Sequence, residues 1–275
     1  MGGSVVVTGA STGIGEATAR HLKSRGFEVY AGVRKPEDAD RLREAGVSPV
    51  MLDVTDSRSI ADAAAEVGGG ALAGLVNNAG VAVTGPVEFV PVDELRRQLE
   101  VNLIGQVAVI QAFLPRLREA RGRIVNVSSI GGRVALPLMS PYSASKFGLE
   151  AVSDSLRREL RDHGVEVVLI EPGGVKTPIW RKGNRAADEL LAAAPPEADR
   201  LYGKLVTSLR AEADKIDRER GLPPEAVADV IGEALTARRP RTRYLVGRDA
   251  KLRALAASLL PDRAMDALIG RALSR

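Results

Sequence analysis

Along its first two thirds the chain alternates short apolar, often β-branched runs with stretches in which apolar residues recur every three to four positions. The runs at residues 4–8, 28–33, 49–52, 72–76, 123–127 and 165–170 predict strands. Between them the spacing predicts helices over 16–25, stopped by Gly26, over 36–45, opened by Pro36, and from the cap Asp56 to 67. The glycines Gly68-Gly69-Gly70 precede the fourth strand, and a long helix is predicted over 92–119, kinked at Pro115 or broken near Phe113. Ser140 can cap a further helix, with Pro141 at its first position, that runs to about Asp162.

The pattern changes after Thr177. Residues 178–222 are charged, alanine-rich and helical, with a break at Pro195-Pro196. Pro223-Pro224-Glu225 then opens a helix to about 237, residues 242–246 read as a last strand, and the tail 249–275 is helical with a break at Pro261. Strands that are apolar almost throughout and alternate with helices indicate a parallel sheet covered on both faces. The expected architecture is α/β, a doubly wound parallel sheet in one domain over 1–275, with 178–222 as a helical substrate lid and 249–275 as a helical tail. Its glycine and polar clusters fall at the carboxyl ends of strands, where such sheets bind ligands.

Composition narrows the chemistry. The chain has 275 residues, 45% of them hydrophobic, and no cysteine, which excludes disulfides, thiolate metal sites and cysteine nucleophiles. His21 and His163 lie far apart and outside any His-rich cluster, so no metal site is expected. A Ser-His-Asp hydrolase finds no Gly-x-Ser-x-Gly elbow to support it. The first strand starts too close to Met1 for a signal peptide, no apolar run is long enough to span a membrane, and the amino terminus lacks a myristoylation pattern, so a cytoplasmic protein is expected. A net charge of +4 with 3% aromatic residues argues against nucleic acid as a partner. The basic run Arg238, Arg239, Arg241, Arg243 and Arg248 reads as a solvated surface, with a membrane or partner patch as its alternative.

Within this frame Gly9-x-x-x-Gly13-x-Gly15 joins a strand to a helix, where glycine lets backbone approach a pyrophosphate and the helix terminus stabilises its charge. Arg34 follows the second strand, in the region where an acid grips the adenosine ribose of NAD and an arginine receives the 2′-phosphate of NADP. NADP(H) is therefore expected, with NAD(H) possible; Thr12 stands where a second base would help. Asp53 either meets an adenine amino group or caps the next helix. Tyr142 and Lys146 lie one turn apart on one helix face. At ~4 Å and an effective dielectric of about 20 their attraction is roughly 4 kcal/mol, enough to lower a phenol pKa by ~3 units.

Residues 8–15, Asp53-Val54, Asn77-Asn78-Ala79-Gly80, Asn102, Ser129, Tyr142-x-x-x-Lys146 and Pro172-Gly173 stand in an order that resembles the motif set of the short-chain dehydrogenase/reductase family, most nearly its retinol and hydroxysteroid dehydrogenase-like members. The resemblance covers about residues 4–177 and implies a Rossmann-type fold. It implies that Tyr142 is the general acid/base, that Lys146 lowers its pKa and holds the nicotinamide ribose, that Ser129 hydrogen-bonds the substrate oxygen, and that Asn102 holds a relay water. The implied cofactor set comprises Gly9, Ser11, Gly13, Ile14, Gly15, Arg34, Asp53, Asn78, Ala79, Gly80, Tyr142, Lys146, Pro172, Gly173 and Thr177, the last at the nicotinamide carboxamide.

The implied reaction interconverts a carbonyl and an alcohol on a lipophilic small molecule. Val134, Ala135, Leu136, Leu138 and Met139 are expected to face Ile179 and Trp180 across an apolar pocket. The alternatives are an NADP-binding regulatory or assembly subunit without turnover and, less compatible with the glycine spacing and the chain length, a sugar-nucleotide epimerase or dehydratase. A homodimer or homotetramer is implied through the helices around Asn102 and Tyr142, where Ala144, Gly148 and Ala151 offer small surfaces.

Overall fold

The computed structural model describes residues 2–68 and 70–273; Gly69, the centre of the triple glycine, and the last two residues of the tail lie outside the described residues. The elements in order are β1 (Ser4–Val7), α1 (Gly13–Ser24), β2 (Glu28–Val33), α2 (Pro36–Glu44), β3 (Ser48–Met51), α3 (Ser57–Glu66) and β4 (Leu72–Asn77). There follow α4 (Val92–Leu99), α5 (Gly105–Ala120), β5 (Arg123–Val127), α6 (Ser140–Glu159) and β6 (Glu166–Pro172). The chain ends with α7 (Pro178–Ala193), α8 (Pro196–Lys215), α9 (Pro224–Thr236), β7 (Arg243–Val246), α10 (Arg248–Leu259) and α11 (Asp262–Leu273).

All strand pairs are parallel, in the order β3-β2-β1-β4-β5-β6-β7. The order reverses between β1 and β4, and the crevice that opens beyond the strand ends at such a point is where doubly wound sheets hold ligands. One face of the sheet is covered by α1, α2 and α9 through residues such as Leu22, Leu42 and Ile231. The other is covered by α3 and α5 through Ile60, Val109, Phe113 and Leu117. Buried on both faces, the strands have no polar side to alternate, which is why they read as continuous apolar runs. No helix among the described residues is long and apolar enough to cross a membrane.

Three local expectations fail. The long helix breaks not at Pro115, which sits inside α5, but at a π-helical turn, Glu100–Ile104, where the Gly105 N–H donates to the Glu100 carbonyl. The extra residue in that turn aims Asn102 inward. Met139, not Ser140, precedes the first turn of α6, and no side chain caps that end. The basic run is not one surface, because Arg243 turns inward to Glu150, Asp154 and Glu171.

Candidate active site

The turn after β1 is held by β4. The Asn78 side chain donates to the Thr8 and Gly9 carbonyls at 3.0 and 3.1 Å, and the Thr8 hydroxyl accepts from the Asn78 and Ala79 N–H groups at 2.9 and 3.0 Å. Gly9 has a φ of 62°, and a Cβ there would lie 2.7 Å from the Ala79 Cα, so the crossing of the two strand ends admits only glycine. No side chain caps α1, whereas Asp56 caps α3 by accepting from the Arg58 N–H at 2.9 Å. The first N–H groups of α1 are thus left for an anion.

A cleft runs from this turn across the strand ends. Gly9, Ser11, Gly13, Ile14, Arg34, Asp53, Asn78, Ala79, Gly80, Asn102, Ser129, Tyr142, Lys146, Pro172, Gly173 and Thr177 all line it. Of the residues expected there, Gly15 alone does not; it packs behind the turn, where a Cβ would sit 2.3 Å from the Gly9 carbonyl oxygen. Of the two readings of Asp53, capping of the next helix fails. Its carboxylate accepts from the Thr55 N–H and hydroxyl at 2.9 and 2.7 Å, while Asp56 does the capping. Burial raises the Asp53 pKa, but these bonds and the nearby Arg34 charge outweigh it and hold the acid below its usual range. Arg41, which the sequence did not single out, reaches from α2 to donate to the Ser11 carbonyl and so brings a second cation beside the turn.

At the far end of the cleft four expected residues converge. Asn102 is fully buried. Its Oδ1 accepts from the Val81 N–H at 2.9 Å, and its Nδ2 donates to the Val81 carbonyl at 3.0 Å and to Ser145 Oγ at 3.2 Å. Ser145 in turn donates to the Tyr142 carbonyl at 2.7 Å, which ties the π-helical turn to α6. Gln98 reinforces the same junction by donating to the Val81 carbonyl at 2.9 Å. Lys146 Nζ donates to the Val127 carbonyl at 2.8 Å and lies 5.9 Å from the centre of the Tyr142 ring.

The electrostatics depart from the expectation that Lys146 makes Tyr142 acidic. Burial pushes the phenol pKa up, and its hydrogen bond with Ser129 only partly offsets this. Burial also lowers Lys146 to about 8, against the opposing charge of Glu150. The ammonium is aimed at a backbone carbonyl rather than at the phenol, so desolvation of both groups outweighs their attraction. Below pH 8 Lys146 nonetheless carries its charge.

Behind Lys146 lies a cluster that no sequence motif signalled. Glu171, fully buried, meets Arg133 at 2.9 Å and Arg243 at 3.1 Å, and Arg243 also meets Glu150 at 3.2 Å. Burial and the neighbouring Glu150 raise the Glu171 pKa to about 7.

A second, mostly apolar cavity opens on the other side of Tyr142. Ser129, Tyr142, Gly173 and Trp180 line both it and the cleft. Val134, Leu136, Met139 and Trp180 line the cavity as the sequence suggested. The other expected residues go elsewhere: Ile179 lines the cleft, Ala135 faces an outer groove, and Leu138 is packed inside with a φ of 63°. Helix α8 supplies Leu209, Glu212 and Ala213, and α10 supplies Arg253.

Comparison with known proteins places this geometry. The family model for short chain dehydrogenase matches residues 4–188. The chain is 40% identical to an NADPH-dependent 3-dehydrocapnine reductase of Ornithobacterium rhinotracheale over 98% of this chain and 97% of that one. It is likewise 40% identical to retinol dehydrogenase 5 of Mus musculus, over 98% and 89% of the two chains. The crystal structure of a short chain dehydrogenase from Burkholderia cenocepacia in complex with NADP superposes with a TM-score of 0.75 at 30% identity, covering 99% of this chain and 98% of that one. A matched family model over most of the chain, on a sheet and cleft of this construction, makes this protein a member of the short-chain dehydrogenase family.

Proposed function

We propose that the protein interconverts a carbonyl and an alcohol on a lipophilic small molecule by hydride transfer with NADP(H), Tyr142 serving as general acid/base. One observation carries the reading: Tyr142 and Ser129 form the partition between a cleft built for a dinucleotide and an apolar cavity. The cleft suits the cofactor because the α1 terminus is open to a pyrophosphate and Arg34 offers a cation for a 2′-phosphate, while Arg41, close to Ser11, is already paired with Asp38 at 3.2 Å. Lys146 would hold the nicotinamide ribose and Thr177 the carboxamide, and NADPH when bound supplies the hydride.

The chain's own part is proton delivery and charge stabilisation. Ser129 and the Tyr142 hydroxyl would hold the substrate oxygen, the Tyr142 proton passing to it as negative charge develops. The buried ammonium of Lys146 then stabilises the phenolate left behind. Asn102 acts through position, since its carboxamide is committed to Val81 and Ser145.

The cavity encloses about 80 Å³, less than the ~300 Å³ at which pockets begin to hold drug-sized ligands. A bulky substrate therefore requires this cavity to widen. The exposed Ile104 (51%) and Phe147 (44%), beside Ala144, support the homo-oligomer expectation, which light scattering of the purified protein tests.

The decisive experiment is Tyr142→Phe, assayed by NADPH oxidation on aliphatic, steroid and retinoid carbonyls. We expect turnover to fall by roughly 100- to 10,000-fold with NADPH affinity unchanged. Turnover retained in the variant would refute the role of Tyr142, and a wild-type protein that binds NADPH but reduces none of these carbonyls, nor anionic aliphatic ones added to the panel, would favour the regulatory-subunit alternative.

A further inference from the structure

Two charged side chains line the apolar cavity, and their situations differ. The Glu212 carboxylate is already paired with Arg220 at 2.6 Å. Arg253 is part-buried, and among the described residues its guanidinium makes no ion pair or hydrogen bond. Its helix is nevertheless firmly placed. Asp249, one turn earlier on the same face of α10, accepts from the Gly174 N–H at 2.8 Å. Ala250 and Ala254 are buried against Ile130 and Val134, which belong to the segment after β5 that also carries Ser129. Arg253 is thus held over the Gly173–Gly174 turn, on the wall of the cavity that contains the Tyr142 and Ser129 side chains.

A part-buried guanidinium that makes no direct ion pair or hydrogen bond leaves its donors open to an incoming anion. Its planar fork suits carboxylate, phosphate or sulfonate, and low-dielectric surroundings strengthen the pair. We propose that Arg253 receives an acidic group on the substrate, making the preferred substrate an amphiphile with an apolar body and an anionic substituent near the reacting carbonyl. The inference rests on the assignment of this cavity as the substrate site and names the substrate class. It also places a specificity determinant in α10, beyond the 4–188 segment matched by the family model.

The test is equilibrium binding, which needs no turnover. Decanoate, decyl phosphate and decanol are titrated into the protein with saturating NADPH, for wild type, Arg253→Leu and Arg253→Lys, with thermal unfolding and NADPH affinity as controls of folding. At least one anionic probe should bind wild type roughly ten- to a hundred-fold more tightly than decanol. Arg253→Leu should abolish the preference, and Arg253→Lys should restore part of it. Comparing decanoate with decyl phosphate identifies the acid. Equal affinity of wild type for all three probes, or a preference that survives Arg253→Leu, would overturn the proposal. Failure of the reductase reading would appear separately, as absent turnover in a protein that still prefers the anionic probe.

Discussion

The two walls that meet at Tyr142 are made of different material. The cleft wall, proposed above to hold the cofactor, consists of backbone at the ends of β1, β4 and β6, fixed by hydrogen bonds such as those of Asn78 to Thr8 and Gly9. The cavity wall consists of side chains from α7, α8 and α10, the last of these packed onto a small cluster around Ile130 and Val134. Backbone geometry tolerates few residue types, so the first wall constrains the sequence tightly. Side-chain packing tolerates many, so the second wall is free to set specificity without disturbing the chemistry.

The largest effect should come from the first wall. In Gly15→Ala the new Cβ would meet the Gly9 carbonyl oxygen at 2.3 Å and Asn78 Nδ2 at 2.5 Å, atoms that are themselves fixed. The turn must shift, and with it the open end of α1. We expect a stability loss of about 1–3 kcal/mol and NADPH affinity reduced by more than roughly 100-fold, read by chemical denaturation and by quenching of the single tryptophan, Trp180. Normal NADPH affinity in this variant would show that the turn is not the phosphate site.

That asymmetry also governs what was legible beforehand. The sheet was readable because strands buried on both faces announce themselves as β-branched runs, and the lining of the cleft because its glycines and Asn78 follow directly on strand ends and Tyr142 and Lys146 share one helix face. The π-helical turn was not readable: Pro115 carries a visible local signal, whereas the turn at Glu100–Ile104 accompanies a tertiary contact, Asn102 on Val81. Arg243 was misread for the same reason, since its partners Glu150 and Glu171 lie far away in sequence and a run of arginines looks alike whether solvated or buried. In the cavity wall, apolar character identified Val134, Leu136, Met139 and Trp180 but could not tell them from Leu138, which packs inward.

A milder change on the second wall should separate the two functions. Ala213, in α8, lines the cavity and is 7% exposed. Ala213→Leu narrows the cavity without approaching the cleft. The KM for a bulky carbonyl should rise about tenfold, with NADPH affinity unchanged. Equal loss of both affinities would mean that the walls are mechanically coupled.

The smallest effect crosses between the walls through Glu150. Lys146 titrates at about 8 because burial favours its neutral form and the charge of Glu150 favours the ammonium. Tyr142, pushed above its usual range, remains a proton donor throughout the neutral region. Carbonyl reduction should therefore be constant below pH 8 and fall above it as Lys146 loses its proton. Glu150→Gln keeps the shape and leaves an oxygen to accept from Arg243 Nε, 3.2 Å away in the wild type, but removes the charge that holds the proton on Lys146. The alkaline limb of kcat/KM should then move to lower pH, with the rate at pH 6 little changed. A limb that stayed in place would assign it to a group other than Lys146, and a loss equal at every pH would mean that Glu150 acts by positioning α6 rather than through its charge.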